Sequence, residues 1–355
     1  MKILNTTRIL KMARSYLVAR ILGKPAPIST LINLTNQCPK GCCYCDSWKE
    51  LPRHMPTEKV LTLLHEIRDA GVVRVTFHGG DPLMHPDFGI IIKEARKCGF
   101  FITVSVRETL VAKMIDELKY ADLLFVSFDG RQKAHDAHKG RGSFAELMDV
   151  FGLLKKRGIP FQTTTVVTKL SMKDIDFVAD TAEKYGFQAH FQTLQFTPNR
   201  HSKRSELMDP KKNPLAPLIL SGKEYADVGR KLLKLKKTSN NIATSETIIR
   251  MIFLDWPDHA QTFLPKRLYK SIRCWSGLLY NQISVEGDLF PCSYYGPFFH
   301  DGRLPNVFRL GYRKALEMKV KDNSCQACQV PCYMELNAMF SLNLKTILNW
   351  APKVL

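Results

Sequence analysis

The feature that most constrains the fold is an alternation of apolar, β-rich segments with helical segments, which starts at residue 28 and continues to about residue 195. Strands that alternate with helices of ordinary length indicate βαβ units and a parallel sheet. Six such units are too few to close an eight-stranded barrel. We therefore predict an α/β fold, a partial (β/α)6 TIM-like barrel. The predicted strands are 30–35, 72–77, 101–106, 122–128, 161–167 and 188–194, and the predicted helices are 57–70, 86–98, 109–119, 144–157 and 171–186.

Three cysteines follow the first predicted strand with the spacing C-x3-C-x2-C: Cys38, Cys42 and Cys45. Three thiolates can hold three irons of a cubane cluster and leave the fourth iron open, whereas a closed structural site has four protein ligands. Thiolates also bind zinc, and Cys43 offers a fourth thiolate, so a zinc site is the alternative. The loop lies at the C-terminal end of its strand, where such barrels carry their chemistry.

A Gly79-Gly80-Asp81-Pro82 turn follows the second predicted strand. Two glycines allow the backbone to approach a ligand closely. Exposed N–H and C=O groups in such a turn can bind the ammonium and carboxylate groups of an amino acid. The turn by itself is a weak signal, and it becomes informative because it comes one βα unit after the cysteine loop.

Together these features resemble the radical S-adenosylmethionine (SAM) superfamily over about residues 28–195. Further similarity lies in Tyr44 before the last cysteine of the loop, in the Ser127-Phe128-Asp129-Gly130 stretch, and in residues 135–136 and 139–144. The resemblance implies that the three cysteines hold a [4Fe–4S] cluster and that SAM binds the open iron through its amino and carboxyl groups. It also implies that the turn at Asp81 supports the methionine amino group.

The same resemblance implies a reaction and its cofactor-binding residues. Reductive cleavage of SAM gives methionine and a 5′-deoxyadenosyl radical, which abstracts hydrogen from an unactivated C–H. The electron is expected from a low-potential donor of the flavodoxin or ferredoxin type. The third strand departs from the Thr-Asn-Gly-like turn with which it ends in the family. Ser105 and Arg107 are therefore the candidates for holding the ribose or the carboxylate of SAM. Asp129 is a candidate general base, with packing beside the cofactor as its alternative. The cofactor-binding residues are predicted to be Tyr44, Gly79, Gly80, Asp81, Pro82, Ser105 and Ser127.

A second group of cysteines flanks a predicted hairpin over residues 282–290 and continues as C-x2-C-x3-C. It resembles the SPASM/twitch extensions of radical SAM enzymes, which implies one auxiliary [4Fe–4S] cluster with a spare ligand, and zinc is again the alternative. Tyr294 is a candidate radical relay, or it packs against the cluster. Cys43 and Cys98 are expected to ligate nothing. The expected auxiliary ligands come from Cys274, Cys292, Cys325, Cys328 and Cys332.

The net charge of +19 and the two termini suggest a partner. Residues 2–22 predict a basic helix without any acid, and the tail predicts a second amphipathic helix that contains Trp350. Each lies either on an anionic membrane surface or against the barrel. The sequence has no secretory signal and no apolar run long enough to span a bilayer, and its cysteines are grouped like metal ligands. We expect a cytoplasmic protein, peripheral on the inner face of the membrane.

On this basis the sequence favours a membrane lipid or isoprenoid as substrate. A maturase of a ribosomal peptide is the alternative enzyme. A zinc-binding scaffold for nucleic acid is disfavoured, and no nucleic-acid partner is expected, because no basic motif interleaved with aromatic residues occurs. The predicted regions are a basic N-terminal helix (1–27), the radical SAM partial barrel (28–215), connector helices (216–270), an auxiliary-cluster domain (271–335) and an amphipathic C-terminal helix (336–355).

Overall fold

A computed structural model describes residues 6–45, 47–195, 215–259, 262–264, 266–292, 304–318 and 325–354. Its strands are β1 (Ser29–Thr35), β2 (Arg74–Gly79), β3 (Phe101–Val106), β4 (Leu123–Ser127), β5 (Phe161–Val167), β6 (Gln188–Thr193), β7 (Phe263–Leu264), β8 (Tyr280–Ile283), β9 (Leu289–Phe290) and β10 (Ala327–Cys328). Eight of them form one sheet in the order β6-β5-β4-β3-β2-β1-β8-β9, and β7 pairs with β10. All pairs from β1 to β6 are parallel, so the predicted α/β partial barrel is confirmed.

Helices connect these strands and cover the outer face of the sheet. They are α1 (Thr6–Ile21), α2 (Thr57–Asp69), α3 (Phe88–Lys97), α4 (Ile115–Leu118), α5 (Gln132–Lys139), α6 (Ser143–Arg157), α7 (Ile175–Tyr185), α8 (Gly222–Thr238), α9 (Glu246–Ile249), α10 (Val307–Leu310), α11 (Tyr312–Glu317), α12 (Pro331–Phe340) and α13 (Leu344–Val354). The predicted helix 109–119 is only the short α4, preceded by a 3-10 turn. The polar helix α5 is not predicted by the apolar pattern.

The two faces of the sheet differ in polarity, because successive strand residues point to opposite sides. The outer face is apolar: Val75, for example, is fully buried in the core that the sheet forms with its helices. The inner face is mixed: it carries the polar strand residues together with Phe101, Leu123 and Phe125. The hydroxyl oxygens of Thr76 and Thr103 lie 3.2 Å apart, and His190 Nε2 lies 2.8 Å from Gln162 Oε1. The interior of the partial barrel is therefore suited to a polar cofactor and substrate.

The predicted hairpin over residues 282–290 is present, but it is also part of the main sheet. β8 pairs antiparallel with β9 and parallel with β1. The turn contains Gly287, with φ of 86°, where a Cβ atom would lie 2.4 Å from the ring of Phe308. The sheet thus runs across the boundary that the sequence suggests at residue 271.

The N-terminal helix α1 packs across the N-terminal ends of the strands. The guanidinium of Arg8 donates hydrogen bonds to the carbonyls of Gly99 and Phe100, directly before β3. The ring of Tyr16 lies 5.7 Å from that of Trp275. The helix therefore lies at the end of the barrel opposite to the cysteine loop.

The C-terminal region differs from the predicted single helix. It consists of α12 and α13, and the break contains Leu342 with a φ of 61°. Of the two alternatives for the tail, Trp350 packs against the barrel: its ring centroid lies 5.5 Å from that of His190, and its indole N–H donates a hydrogen bond to Glu335 Oε2. No helix in the described residues is long and apolar enough to cross a membrane.

Candidate active site

The cysteine loop brings Cys38, Cys42 and Cys45 together at the C-terminal end of β1. Burial raises the pKa of Cys38 to about 12, and the nearby thiolates of Cys45 and Cys42 add to this effect. The loop is fixed by a hydrogen bond from the Cys43 N–H to the His138 carbonyl, 2.9 Å long. Three part-buried thiols that would repel one another when deprotonated need a cation to compensate their charge, so this donor set fits an iron–sulfur cluster.

The turn after β2 is joined directly to the chain that leads into the cysteine loop. The Gly80 N–H donates to the Thr35 carbonyl at 2.7 Å, and the Asp81 N–H donates to the Gln37 carbonyl at 2.6 Å. A Cβ atom on Gly79 or Gly80 would lie 2.0 Å from one of these two carbonyl oxygens. Gly79 also has a φ of 141°. Only glycine permits this approach.

We expect Gly79→Ala and Gly80→Ala to displace the cysteine loop and to lower the iron content after anaerobic reconstitution. The matched control is Gly152→Ala in α6, where no atom lies within 4 Å of a new Cβ. Alanine there is expected to stabilise the helix by about 0.5–1 kcal/mol. Iron and sulfide assays with thermal unfolding measure both effects. Normal iron content in the Gly80 variant would contradict the packing argument.

The Asp81 side chain supports the turn from within. Its carboxylate is fully buried and accepts hydrogen bonds from the backbone N–H groups of Leu83 and Arg107. Burial raises the pKa of Asp81 to about 6. Its oxygens are occupied by backbone donors, so Asp81 holds the shape of the turn, and the exposed groups of the turn are backbone atoms. Pro82 begins the 3-10 turn Pro82–Met84.

Arg107 connects three loops beneath the site. Its guanidinium donates to the Lys40 carbonyl at 2.5 Å, to the Lys139 carbonyl at 3.0 Å and to Glu108 Oε1 at 3.1 Å. The residue is only 5% exposed. Sequence analysis suggested Arg107 as a cofactor contact, but its hydrogen bonds are made to the protein scaffold.

Tyr44 and Asp129 belong to a buried charged network with Lys139. The Tyr44 hydroxyl donates to Asp129 Oδ2 at 2.5 Å, and Lys139 Nζ donates to the Tyr44 hydroxyl at 2.9 Å. Lys139 Nζ also lies 3.4 Å from Asp129 Oδ2 and 3.8 Å from Cys42 Sγ. The network therefore places one buried cation beside a thiolate of the cysteine loop.

The environment of Asp129 favours its charged form. Burial alone would raise the pKa of Asp129, but the charges of Lys139, His138 and His135 and the hydrogen bond from Tyr44 together hold it below its usual value. The second carboxylate oxygen accepts a hydrogen bond from the Val166 N–H at 2.9 Å. Asp129 is fully buried, and each of its carboxylate oxygens accepts a hydrogen bond from the protein. This arrangement is expected of a residue that positions its neighbours.

We expect Asp129→Asn to destabilise the protein by about 3–5 kcal/mol, because it leaves Lys139 as an uncompensated buried charge. The double variant with Lys139→Met removes both charges and should recover part of this loss. The control Asp227→Asn breaks an exposed ion pair with Arg230 and should cost less than about 1 kcal/mol. Anaerobic calorimetry measures the three variants. Additive losses in the double variant would show that the two charges are independent.

Ser105 and Ser127 lie near the C-terminal ends of neighbouring strands. Both are part-buried, and β3 pairs with β4 in a register that joins Ser105 to Phe125. Their strand positions share the phase of Thr103, so their hydroxyls face the barrel interior. Their role as cofactor contacts stays a prediction.

Four of the five C-terminal cysteines come together. Burial raises the pKa of Cys328, and the thiols of Cys325, Cys274 and Cys292 raise it further. Burial likewise raises the pKa of Cys325, where Cys274 and Cys292 again add to the effect. For Cys332 the charged neighbours are instead Arg74 and Glu335. These four thiols lie close enough to interact electrostatically, and four thiols would fit one fully ligated cluster.

We expect Cys328→Ser to lower the iron content from about eight to about four per chain, since the loss of one ligand opens the auxiliary site. Cys332→Ser should retain about eight. Iron analysis and electron paramagnetic resonance of reconstituted protein check both. A loss of four irons in the Cys332 variant would place that thiol in the ligand set.

Two predictions, for Tyr294 and Cys98, and one missed residue remain. Tyr294 lies outside the described residues. Cys98 lies between α2 and α3, and its Sγ atom is 3.9 Å from His65 Nδ1. Its charged neighbours include no other cysteine. Lys139 and its contacts were missed as site residues, although the sequence signal was present in residues 139–144, which carried part of the family resemblance.

Comparison with known proteins identifies the class. Residues 32–182 match the Radical SAM superfamily. A PqqA peptide cyclase of Xanthomonas euvesicatoria pv. vesicatoria is 28% identical over 151 residues, which cover 40% of this chain and 41% of that protein. A PqqA peptide cyclase of Streptomyces rochei is 37% identical over 82 residues, 22% of each protein. These alignments span less than half the length of the curated relatives.

Solved structures show the same fold at low sequence identity. SuiB of Streptococcus suis bound to its precursor peptide SuiA has a TM-score of 0.66 and 15% identity, over 94% of this chain and 78% of that chain. The enzyme anSMEcpe with bound AdoMet and a Cp18Cys peptide has a TM-score of 0.58 and 16% identity, over 92% and 98% of the two chains. Residues 32–182 therefore correspond to a radical SAM domain, which indicates an enzyme, and a C-terminal cysteine-rich extension follows this domain.

Proposed function

We propose that this chain cleaves SAM reductively and uses the resulting radical to modify a peptide. The observation that carries the proposal is the three-thiol loop joined to the Gly79–Gly80 turn at the C-terminal ends of the strands. When bound, the [4Fe–4S] cluster supplies a low-potential electron and an open iron for the SAM amino and carboxyl groups. The chain supplies Cys38, Cys42 and Cys45 as ligands.

The remaining residues orient and enclose the cofactor. The Gly79–Pro82 turn presents backbone groups, and Ser105 and Ser127 present hydroxyls from the inner face of the barrel. Asp129 and Lys139 hold Tyr44 and the loop in place from below. Because these groups are buried, they also exclude water from the site.

Several observations support a peptide substrate. The relatives matched in sequence are PqqA peptide cyclases, and the similar structures contain the SuiA precursor or a Cp18Cys peptide. The polar side chains on the inner face of the barrel are better suited to a peptide than to a lipid. The comparisons favour the maturase alternative over the lipid or isoprenoid substrate that the termini and charge suggested.

The test uses anaerobically reconstituted protein with SAM and dithionite. A fraction of small cellular peptides should increase the release of 5′-deoxyadenosine and should contain one peptide of altered mass, whereas a lipid extract should have no effect. Cys42→Ala is the control that releases no 5′-deoxyadenosine. Stimulation by the lipid extract alone would overturn the peptide substrate and restore the lipid hypothesis.

The electron donor is proposed to be a small acidic protein of the flavodoxin or ferredoxin type. The net charge of +19 favours rapid encounter with such a carrier. The four-thiol auxiliary cluster, with no open iron, is proposed to transfer an electron during the reaction.

We also propose that α1 attaches the protein to an anionic membrane surface. Its outer side exposes Leu10, Leu17 and Ile21, by 54% to 72%. These residues recur at helical spacing and lie next to Lys11 and Arg14, and the helix contains no acid. Apolar residues with basic neighbours match an anionic interface. Because α1 lies at the N-terminal ends of the strands, this attachment points the site away from the membrane.

Leu17→Glu should weaken co-sedimentation with phosphatidylserine-containing vesicles at least tenfold, since it removes an apolar contact and adds a repelled charge. The matched control is Ile90→Glu on α3, which is 54% exposed and should behave like the unmodified protein. Vesicles of phosphatidylcholine alone should bind neither. Equal binding by both variants would exclude α1 as the attachment site.

A further inference from the structure

Arg74 is an isolated charge in an otherwise uncharged set of strands. β1 to β6 and β8 contain no Asp, Glu or Lys, and Arg74, the first residue of β2, is their only Arg. The cores of such strands are rarely charged unless the charge is paired. The occurrence of a single unpaired cation here therefore requires an explanation.

The side chain is held in a defined orientation on the inner face of the barrel. Arg74 Nε donates a hydrogen bond to Thr103 Oγ1 at 2.9 Å, and that hydroxyl is itself 3.2 Å from Thr76 Oγ1. The two terminal nitrogens of the guanidinium make no hydrogen bond or ion pair with any described residue, and neither is sealed from solvent. The four N–H groups of these nitrogens thus face the interior, and none of the residues that the structure describes pairs with them.

Within the described ranges, no residue acts as a counterion for this guanidinium. Burial lowers the pKa of Arg74 to about 10, and the thiol of Cys332 is the one titratable group among the described residues that acts on it. The group remains charged near neutral pH. A partly desolvated charge without a partner costs free energy, and a fixed guanidinium fork matches a carboxylate in two parallel hydrogen bonds.

We propose that Arg74 is a substrate-binding residue that takes a carboxylate of the peptide at the floor of the barrel. This subsite rests on the proposed peptide-modifying function and adds a substrate class to it: peptides with an acidic side chain or a free C-terminus placed inside the barrel. The residue positions the substrate and does not take part in bond breaking.

The geometry separates this subsite from the reacting end. Arg74 and Gly79 are the first and last residues of β2, and five residues of strand span about 16 Å. A carboxylate bound at Arg74 is therefore an anchor, and the attacked C–H lies above it towards the cysteine loop. A peptide that is bound at Arg74 and also reaches the cysteine loop extends along the barrel axis.

Three small probes show whether Arg74 binds a side-chain carboxylate or a C-terminal carboxylate. N-acetyl-glutamate N-methylamide carries only a side-chain carboxylate, N-acetyl-glutamine only a terminal one, and N-acetyl-glutamine N-methylamide neither. Binding to the reconstituted enzyme with SAM is measured by saturation-transfer NMR and calorimetry. We expect at least one carboxylate probe to bind about tenfold or more tightly than the neutral one, as for a charge-assisted hydrogen bond.

Arg74→Gln should abolish this preference, and Arg74→Lys should retain part of it because the charge remains while the fork is lost. Arg230→Gln, on the exposed surface of α8, should change nothing. The melting temperature of Arg74→Gln should be unchanged or higher, because an unpaired charge is removed.

Two results would overturn the proposal: equal binding of charged and neutral probes by the unmodified enzyme, or a preference that survives in Arg74→Gln. A lowered melting temperature with unchanged probe binding would make Arg74 a structural residue and would also overturn it. Because binding is measured without turnover, the release of 5′-deoxyadenosine reports separately on the proposed function.

Discussion

The site depends on the close approach of two backbone segments, one leading from β1 into the cysteine loop and one turning after β2. Two short hydrogen bonds join them, from Gly80 to Thr35 and from Asp81 to Gln37. The approach exists only because neither Gly79 nor Gly80 has a side chain. Hydrogen bonds between neighbouring parallel strands end at this point, so the loop that carries the thiols begins from a fixed position.

Below this contact, the protein supports the loop with buried charges instead of apolar packing. Arg107 binds carbonyl groups from the cysteine loop and from the end of α5, and Lys139 balances Asp129. Each charge has a partner of opposite sign, which is the condition for keeping ions inside a protein. The arrangement holds several loops in register, because each ion must contact more than one of them.

The sequence was informative where local pattern decides the structure. The strands could be predicted because apolar, β-branched runs recur between amphipathic helices, and the thiol loop could be predicted from spacing alone. The polar helix α5 was missed because it has no apolar period, although it supplies Lys139. Contacts such as Tyr44 with Asp129 join residues that are distant in sequence, and no periodicity reveals them. β8 is four residues long, too short to be recognised as a strand of the main sheet.

The pairing of β8 with β1 has a mechanical consequence. β1 leads into the three-thiol loop, and the hairpin that follows β8 leads to Cys292 of the four-thiol group. The two cysteine groups are therefore attached to adjacent strands of one sheet. The hydrogen bonds between β1 and β8 fix the distance between the two groups, so neither can shift along the barrel without breaking the sheet.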